Sequence, residues 1–472
     1  MPGCARGFSG RATRALSRAT PLWLLLTLSL AGAGWARPAT PPAAQGAATA
    51  ATADWTEAEI RASRVETASA ETLPHKPRWS ADPMNLLVVV EAGDAHVSLV
   101  DGERLETVHR FRSHEALHGA PRFSPDGRFA YFGSHGGWIT RYDLWNLSLA
   151  AEVRAGPGLR QLTISRDGRW LMATRQQPPM LVLFDAALNL VKTWAPASRD
   201  GQTRSRVAAV LDAAPRQSFI VALQDIAELW EISYDPKAED FYDGLVHDYR
   251  MGEGLPTRGF HNARRTSVTE PLESLFFDRE STQVAGAARA KDGVGASVQL
   301  VNLDVRRRIA SLPSVGVPLP GSGTAFDWNG SQVLALPNRE RAAIDIIDLR
   351  TWKLVKSIAT PGPGSFVRGH EGSRHLWTDA TMGGKTGATL TAIDKQTLQV
   401  AASLNDPGPG LAHVAFTHSG RHMLASLNEA EGALVVFDAA TLKEVKRLPM
   451  RLPTGVYNVG NQIKHPAYDP TP

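Results

Sequence analysis

The sequence predicts an all-β fold, an eight-bladed β-propeller, on three observations. A unit made of a tight turn, an apolar run and a second turn carrying aspartate recurs along the chain. Its spacing is regular: the aspartates that close successive units lie 42 residues apart from Asp101 to Asp143 and from Asp143 to Asp185, 46 from Asp348 to Asp394 and 44 from Asp394 to Asp438. Eight such units fill residues 80–450. A period of about 45 residues with several short strands per repeat is the mark of propeller blades, which bury their faces only against each other.

The units follow in order. Strand signals begin at Asn85–Val90 and lead to Val100-Asp101. The second unit, Phe123-Ser-Pro-Asp-Gly-Arg128 through Tyr142-Asp143-Leu144, serves as the type blade. Its inner strand is expected over Leu117–Phe123, a second strand over Phe129–Phe132 and a third over Trp138–Leu144. The turns between them are Pro125-Asp-Gly127 and Ser134-His-Gly-Gly137, and Asn146-Leu147 turns into the fourth strand. The third unit repeats this as Ile164-Ser-Arg-Asp-Gly-Arg169 before Phe184-Asp185, and the eighth as Phe416-Thr-His-Ser-Gly-Arg421 before Phe437-Asp438. Units four to seven end near Tyr234, Asn302, Asp348 and Asp394. The 68 residues between the first two of these place an insertion around Pro236–Glu270.

The N-terminus reads differently. Residues 1–36 carry Arg6, Arg11, Arg14 and Arg18 without an acidic residue, then the apolar core Leu22–Ala31, then small residues ending at Trp35-Ala36. This is the layout of a secretory signal peptide and implies a periplasmic protein with no membrane attachment after cleavage. An uncleaved anchor would need ~20 apolar residues, more than this core supplies. The four arginines equal the whole formal charge of +4. The mature chain is therefore balanced, and nothing points to nucleic acid. Residues 37–78 read as a linker or N-terminal extension with a short helix within Asp54–Ala68, and 79–472 as the propeller. Cys4 is the only cysteine, so the sequence has no Cys-x-x-Cys-His haem-attachment motif.

In a four-stranded meander, the start of strand one and the turn between strands two and three share one end of the blade. Functional residues should gather there. That register selects His118 and His135 in blade two, Arg160 and Arg175 in blade three, Arg206 in blade four, Arg368 in blade seven and His413 in blade eight. Imidazoles and arginines around one tunnel mouth suit a planar, carboxylate-bearing iron cofactor. Each also has a plainer reading: a turn histidine is usually solvated, and a propeller arginine often bonds between blades. The Asp-Gly-Arg turns and the recurring aspartates are structural, because glycine permits positive φ. His370 falls at the opposite end and is set aside.

Ala116–Tyr131 with Asp143-Leu-Trp145, Arg206–Val210, Ser218–Val221 and Pro453-Thr-Gly-Val-Tyr-Asn-Val459 resemble, in order, the d1-haem propeller of the cytochrome cd1 nitrite reductase family. Thr351–Lys356, Ile393–Leu398, Ala412–Val414 and Gly432–Val436 resemble its dihydro-haem d1 dehydrogenase branch. The resemblance runs from about residue 85 to 465. It implies haem d1 or dihydro-haem d1 as the tetrapyrrole and His118 as proximal iron ligand. Arg160 and Arg206, with Arg175 and His135, would lie on the cofactor face. His413 and Tyr457 would be the catalytic pair, His413 serving as distal ligand or proton carrier. The implied reaction turns a propionate arm into an acrylate in haem d1 maturation. By that alignment two distal histidines of nitrite reductases fall at Ala214 and near Gly362, which argues against nitrite reduction. The implied partner is a separate c-type cytochrome or nitrite reductase that accepts electrons or cofactor. Two other readings compete: a haem d1 carrier without catalysis, and a haem-free interaction scaffold.

Overall fold

The structure is a computed structural model describing residues 55–68, 72–242, 256–289, 296–312, 321–338, 341–380, 389–405 and 411–465. The signal segment expected over 1–36 lies outside the described residues. No helix among the described residues is long and apolar enough to cross a membrane.

Eight antiparallel sheets form the eight blades. Blade one consists of Leu86–Glu91, His96–Asp101 and Glu106–Arg112, completed by the C-terminal strand Pro453–Asn458 as its innermost member. Blade two is Arg122–Phe123, Phe129–Gly133, Trp138–Asp143 and Ser148–Arg154. Blades three to eight span 159–194, 207–267, 274–312, 324–359, 367–405 and 411–450. The two ends of the chain are thus joined in one sheet, Val88 opposite Tyr457, so the ring leaves no open seam between first and last blade. Apolar side chains interleave between neighbouring blades, for example Tyr131 and Ile139 of blade two with Leu162, Leu171 and Val182 of blade three, all buried.

The repeating aspartates do what short polar side chains do at turns. The carboxylates of Asp101, Asp143, Asp185, Asp348, Asp394 and Asp438 each accept two backbone N–H groups of the turn that follows, and Asn302 does the same with its side-chain oxygen. Gly127, Gly168 and Gly420 hold φ between +70° and +75° in the turns between strands one and two, a region open to glycine at little cost.

Two expectations need correction. The inner strand of blade two is only Arg122–Phe123, because Gly119 takes φ +78° and Pro121 has no N–H to give a ladder. The proposed insertion at Pro236–Glu270 contains the fourth strand of blade four, Ala263–Ser267. Its described flanks leave and re-enter the blade at the end that carries the Asp-Gly turns, away from the predicted site. The short helix expected within Asp54–Ala68 is present. Helix Glu57–Ala62, capped by Thr56, buries Ile60 against blades two and three, and Val65–Glu66 adds a fifth strand to blade two.

Candidate functional site

Strand direction divides the ring into an upper end, where the first strands start, and a basal end, where the Asp-Gly turns lie. His118 precedes the broken inner strand of blade two, and its N–H donates to Gly133 O at 2.9 Å. The break turns the imidazole out of the ladder. His135, at the tip of the adjacent hairpin, lies against it with ring centroids 4.2 Å apart. His118 Nε2 is buried and has no hydrogen-bond partner among the described residues. Burial, helped by His135 and the charge of Arg160, pushes the His118 imidazole down to about 4, so it is neutral at physiological pH and its lone pair is available. An orphaned, neutral, buried ring nitrogen at a tunnel mouth fits an axial iron ligand.

Arg160 reaches that neighbourhood through a β-bulge. Gln161 pairs with Thr174 and Leu159 with Arg175, leaving Arg160 as the extra, exposed residue. Blade eight uses the same device: Ala412 pairs with Ser426 and Val414 with Ala425, so His413 is the bulged residue, at φ +51°. His413 meets Tyr457 of the closing strand edge-on, centroids 4.7 Å apart. Its Nδ1 accepts the backbone N–H of Val456 at 3.1 Å. The buried Tyr457 ring points its hydroxyl back along the strand to the level of residue 455, where a Cβ would lie 2.5 Å from the oxygen. Gly455 provides the room.

The structure therefore brings His118, His135 and Arg160 into one cluster and His413 with Tyr457 into another at the same end of the ring. Arg206 shares that end, but its guanidinium is held bidentately by Asp225, at 3.0 and 2.6 Å. Arg175 is different. It is fully buried and donates to the carbonyls of Pro178, Trp55 and Ala155. It ties the N-terminal clasp to blade three and does not face the tunnel mouth. Arg368 donates to Ser322 O and Val367 O and lines the tunnel lower down. Ala214 opens a short turn at the basal end, opposite the end that carries His118. His370 is basal, as expected, against Asn461 of the C-terminal helix Val459–Lys464.

A cavity of about 770 Å³ lies away from these clusters. It fills the lower tunnel, bordered by basal turns and the C-terminal helix, and reaches up to Val414 and Val456 beside the His413–Tyr457 pair. Chemistry and the orphaned nitrogen both point to the upper end.

Comparison with known proteins identifies the family. Residues 81–462 match the family model described as the cytochrome D1 heme domain. The chain belongs to the cytochrome D1 heme domain family. Within that family, it is 45% identical over 411 residues to a dihydro-heme d1 dehydrogenase of Pseudomonas aeruginosa, covering 87% of this chain and 78% of that one. It is 26% identical to Protein NirF of the same organism over 385 residues, covering 79% and 91%. The solved structure of dihydro-heme d1 dehydrogenase NirN in complex with DHE superposes with a TM-score of 0.77 at 45% identity, over 87% of this chain and 82% of that chain.

Sequence reasoning missed the part played by Gly455 and the Val456 N–H, since neither carries a reactive group. The Gly-x-Tyr spacing was the only trace of the first. It also missed that Arg160 and His413 are bulged, because a bulge adds one residue without altering the hydrophobic alternation elsewhere.

Proposed function

We propose that the protein binds a d1-type tetrapyrrole on its upper face and dehydrogenates the propionate arm of a dihydro precursor, completing haem d1. The observation that carries this is the His413–Tyr457 pair, on the same end of the ring as a neutral His118 whose Nε2 lacks a hydrogen-bond partner, in a chain 45% identical to a dihydro-heme d1 dehydrogenase.

His118 Nε2 would hold the iron, and His135 and Arg160 would flank the macrocycle, Arg160 as a cation for its carboxylates. The iron tetrapyrrole supplies the conjugated system that accepts charge as the arm is oxidised. Converting –CH2–CH2– to –CH=CH– removes two electrons and two protons. Tyr457 presents its hydroxyl over Gly455 as the acid–base or radical partner for one hydrogen. His413 takes a narrower part than either role its position suggested. With Nδ1 occupied by the Val456 N–H, a neutral ring carries its proton on Nε2. In that tautomer Nε2 would donate a hydrogen bond, which favours His413 as the anchor of the arm's carboxylate over a role as distal iron ligand.

The two electrons would pass to a separate acceptor. A c-type cytochrome suits the task. Segment 1–36 exports the protein to the periplasm, which sequencing of the mature N-terminus tests. The reaction is tested by incubating the protein with dihydro-haem d1 and an oxidised c-type cytochrome and following acrylate formation. Binding with no conversion leaves the carrier reading, and no binding leaves the scaffold.

A further inference from the structure

Two features stand apart from this chemistry. In the basal cavity Lys464 pairs with Glu371, Arg374 with Asp394, and Arg166 donates to Ile463 O. The outer wall between blades four and five is not balanced in this way. There, a groove of about 550 Å³ is lined by Arg265, Arg306, Arg307 and Arg308, the hydroxyl residues Thr266 and Ser267, and Val305, with no acidic residue in the lining. Arg265 is engaged by Glu228 and by Ala197 O. Arg306, Arg307 and Arg308 form no ion pair among the described residues, although Glu231 acts on Arg306 from nearby and Arg308 donates to Ser311. Arg264 stands close enough to Arg306 to act on it as a like charge.

The groove also has a backbone character. Its walls are the outermost strands of two blades, Ala263–Ser267 and Arg307–Leu312, each paired on one side only. Unpaired strand edges invite an extended chain. Val305 and Ile309, 60% and 49% exposed, add apolar contact beside the arginines. Residues 37–472 have as many acidic as basic side chains, so this concentration is local and does not reflect a basic chain.

We propose that this groove is a docking site for an extended acidic segment of a partner protein, five or six residues long to match the two strands. Its backbone adds to one edge, and alternate carboxylates meet Arg306–Arg308. Long-range attraction would speed encounter and the backbone pairing would fix register. The arginines sit toward the basal side of the outer wall, so a docked partner leaves the tetrapyrrole face open.

The probe is a fluorescent eight-residue peptide alternating Glu and Thr, titrated at low salt by anisotropy. Saturable binding is expected, weakened at least tenfold in Arg307→Glu/Arg308→Glu and by 0.5 M NaCl, and absent with a Lys–Thr peptide. Equal binding by the double variant overturns the assignment. Full displacement by millimolar inorganic phosphate, or undiminished binding of a peptide N-methylated at alternate backbone positions, overturns the strand-pairing mode and leaves only a diffuse anion site. The double variant should retain tetrapyrrole binding, so its result is independent of the proposed dehydrogenase activity.

Discussion

The backbone N–H of Val456 donates to Nδ1 of His413 at 3.1 Å, across the seam where the last strand of the chain closes the ring. One main-chain proton thus sets which nitrogen of a site histidine is the donor. If His413 donates to the arm's carboxylate as proposed, His413→Ala should leave the absorption spectrum of the bound tetrapyrrole unchanged. It should slow conversion by roughly 10- to 100-fold, the scale of one hydrogen bond to a charged group. His413→Gln, which retains an N–H donor, should recover part of the rate. A spectrum shifted by His413→Ala would make it an iron ligand.

Tyr457 and Gly455 act together through the space one leaves for the other. Tyr457→Phe removes only the hydroxyl and should lower the rate constant for conversion by about 10²–10⁴ while binding holds, the range for loss of a positioned proton-transfer group. Gly455→Ala keeps the hydroxyl but places a methyl 2.5 Å from its present position. It should depress the rate with a folded protein and intact Tyr457. Single-turnover kinetics with dihydro-haem d1 reads both.

For His118, the expected signature is loss of the axial ligand. His118→Ala should abolish the low-spin spectrum of the bound tetrapyrrole and weaken its retention on gel filtration, with thermal unfolding little changed. The ring is only half-buried and its Nε2 has no protein partner to lose. Added imidazole should restore the spectrum by filling the vacated position.

Arg175 should behave as a structural residue. Arg175→Ala strands the carbonyls of Trp55, Ala155 and Pro178 and should destabilise the protein by about 2–4 kcal/mol, seen as a lower Tm, without a specific change in tetrapyrrole affinity. Limited proteolysis should then cut the clasp around Trp55–Thr67 faster than in wild type.

Asp212 gives a pH dependence. Burial pushes its carboxyl up to about 7, against the opposing bonds from Tyr234 Oη and the Arg166 N–H. An aspartate of the unfolded chain titrates near ~3.9. The folded state therefore holds this proton more tightly, and the stability from the group is full below about 4 and lost as pH rises toward 7. Other carboxylates with lowered values, such as Asp394, drive wild-type stability the opposite way at low pH. The informative quantity is therefore a difference. The Tm of Asp212→Asn minus that of wild type should rise between pH 5 and pH 8; a flat difference would mean the carboxyl is not held protonated.

Much of this protein was written in local sequence. The repeat spacing fixed the number of blades, because each blade is a meander of short strands whose turns need aspartate or glycine at set places, and those residues are visible one by one. The same register put His118, Arg160 and His413 at one end of the ring, because strand direction alternates predictably within a blade. What the chain order alone could not decide was where the ladder breaks. Arg160 and His413 project because single residues are squeezed out of their strands, and Arg175 is lost to the site because its guanidinium found three carbonyls, one of them 120 positions away. Tyr457 meets His413 only because the final strand returns to pair with the first. Those are long-range pairings, set by which backbone groups find partners once the ring closes, and no local pattern of side chains encodes them.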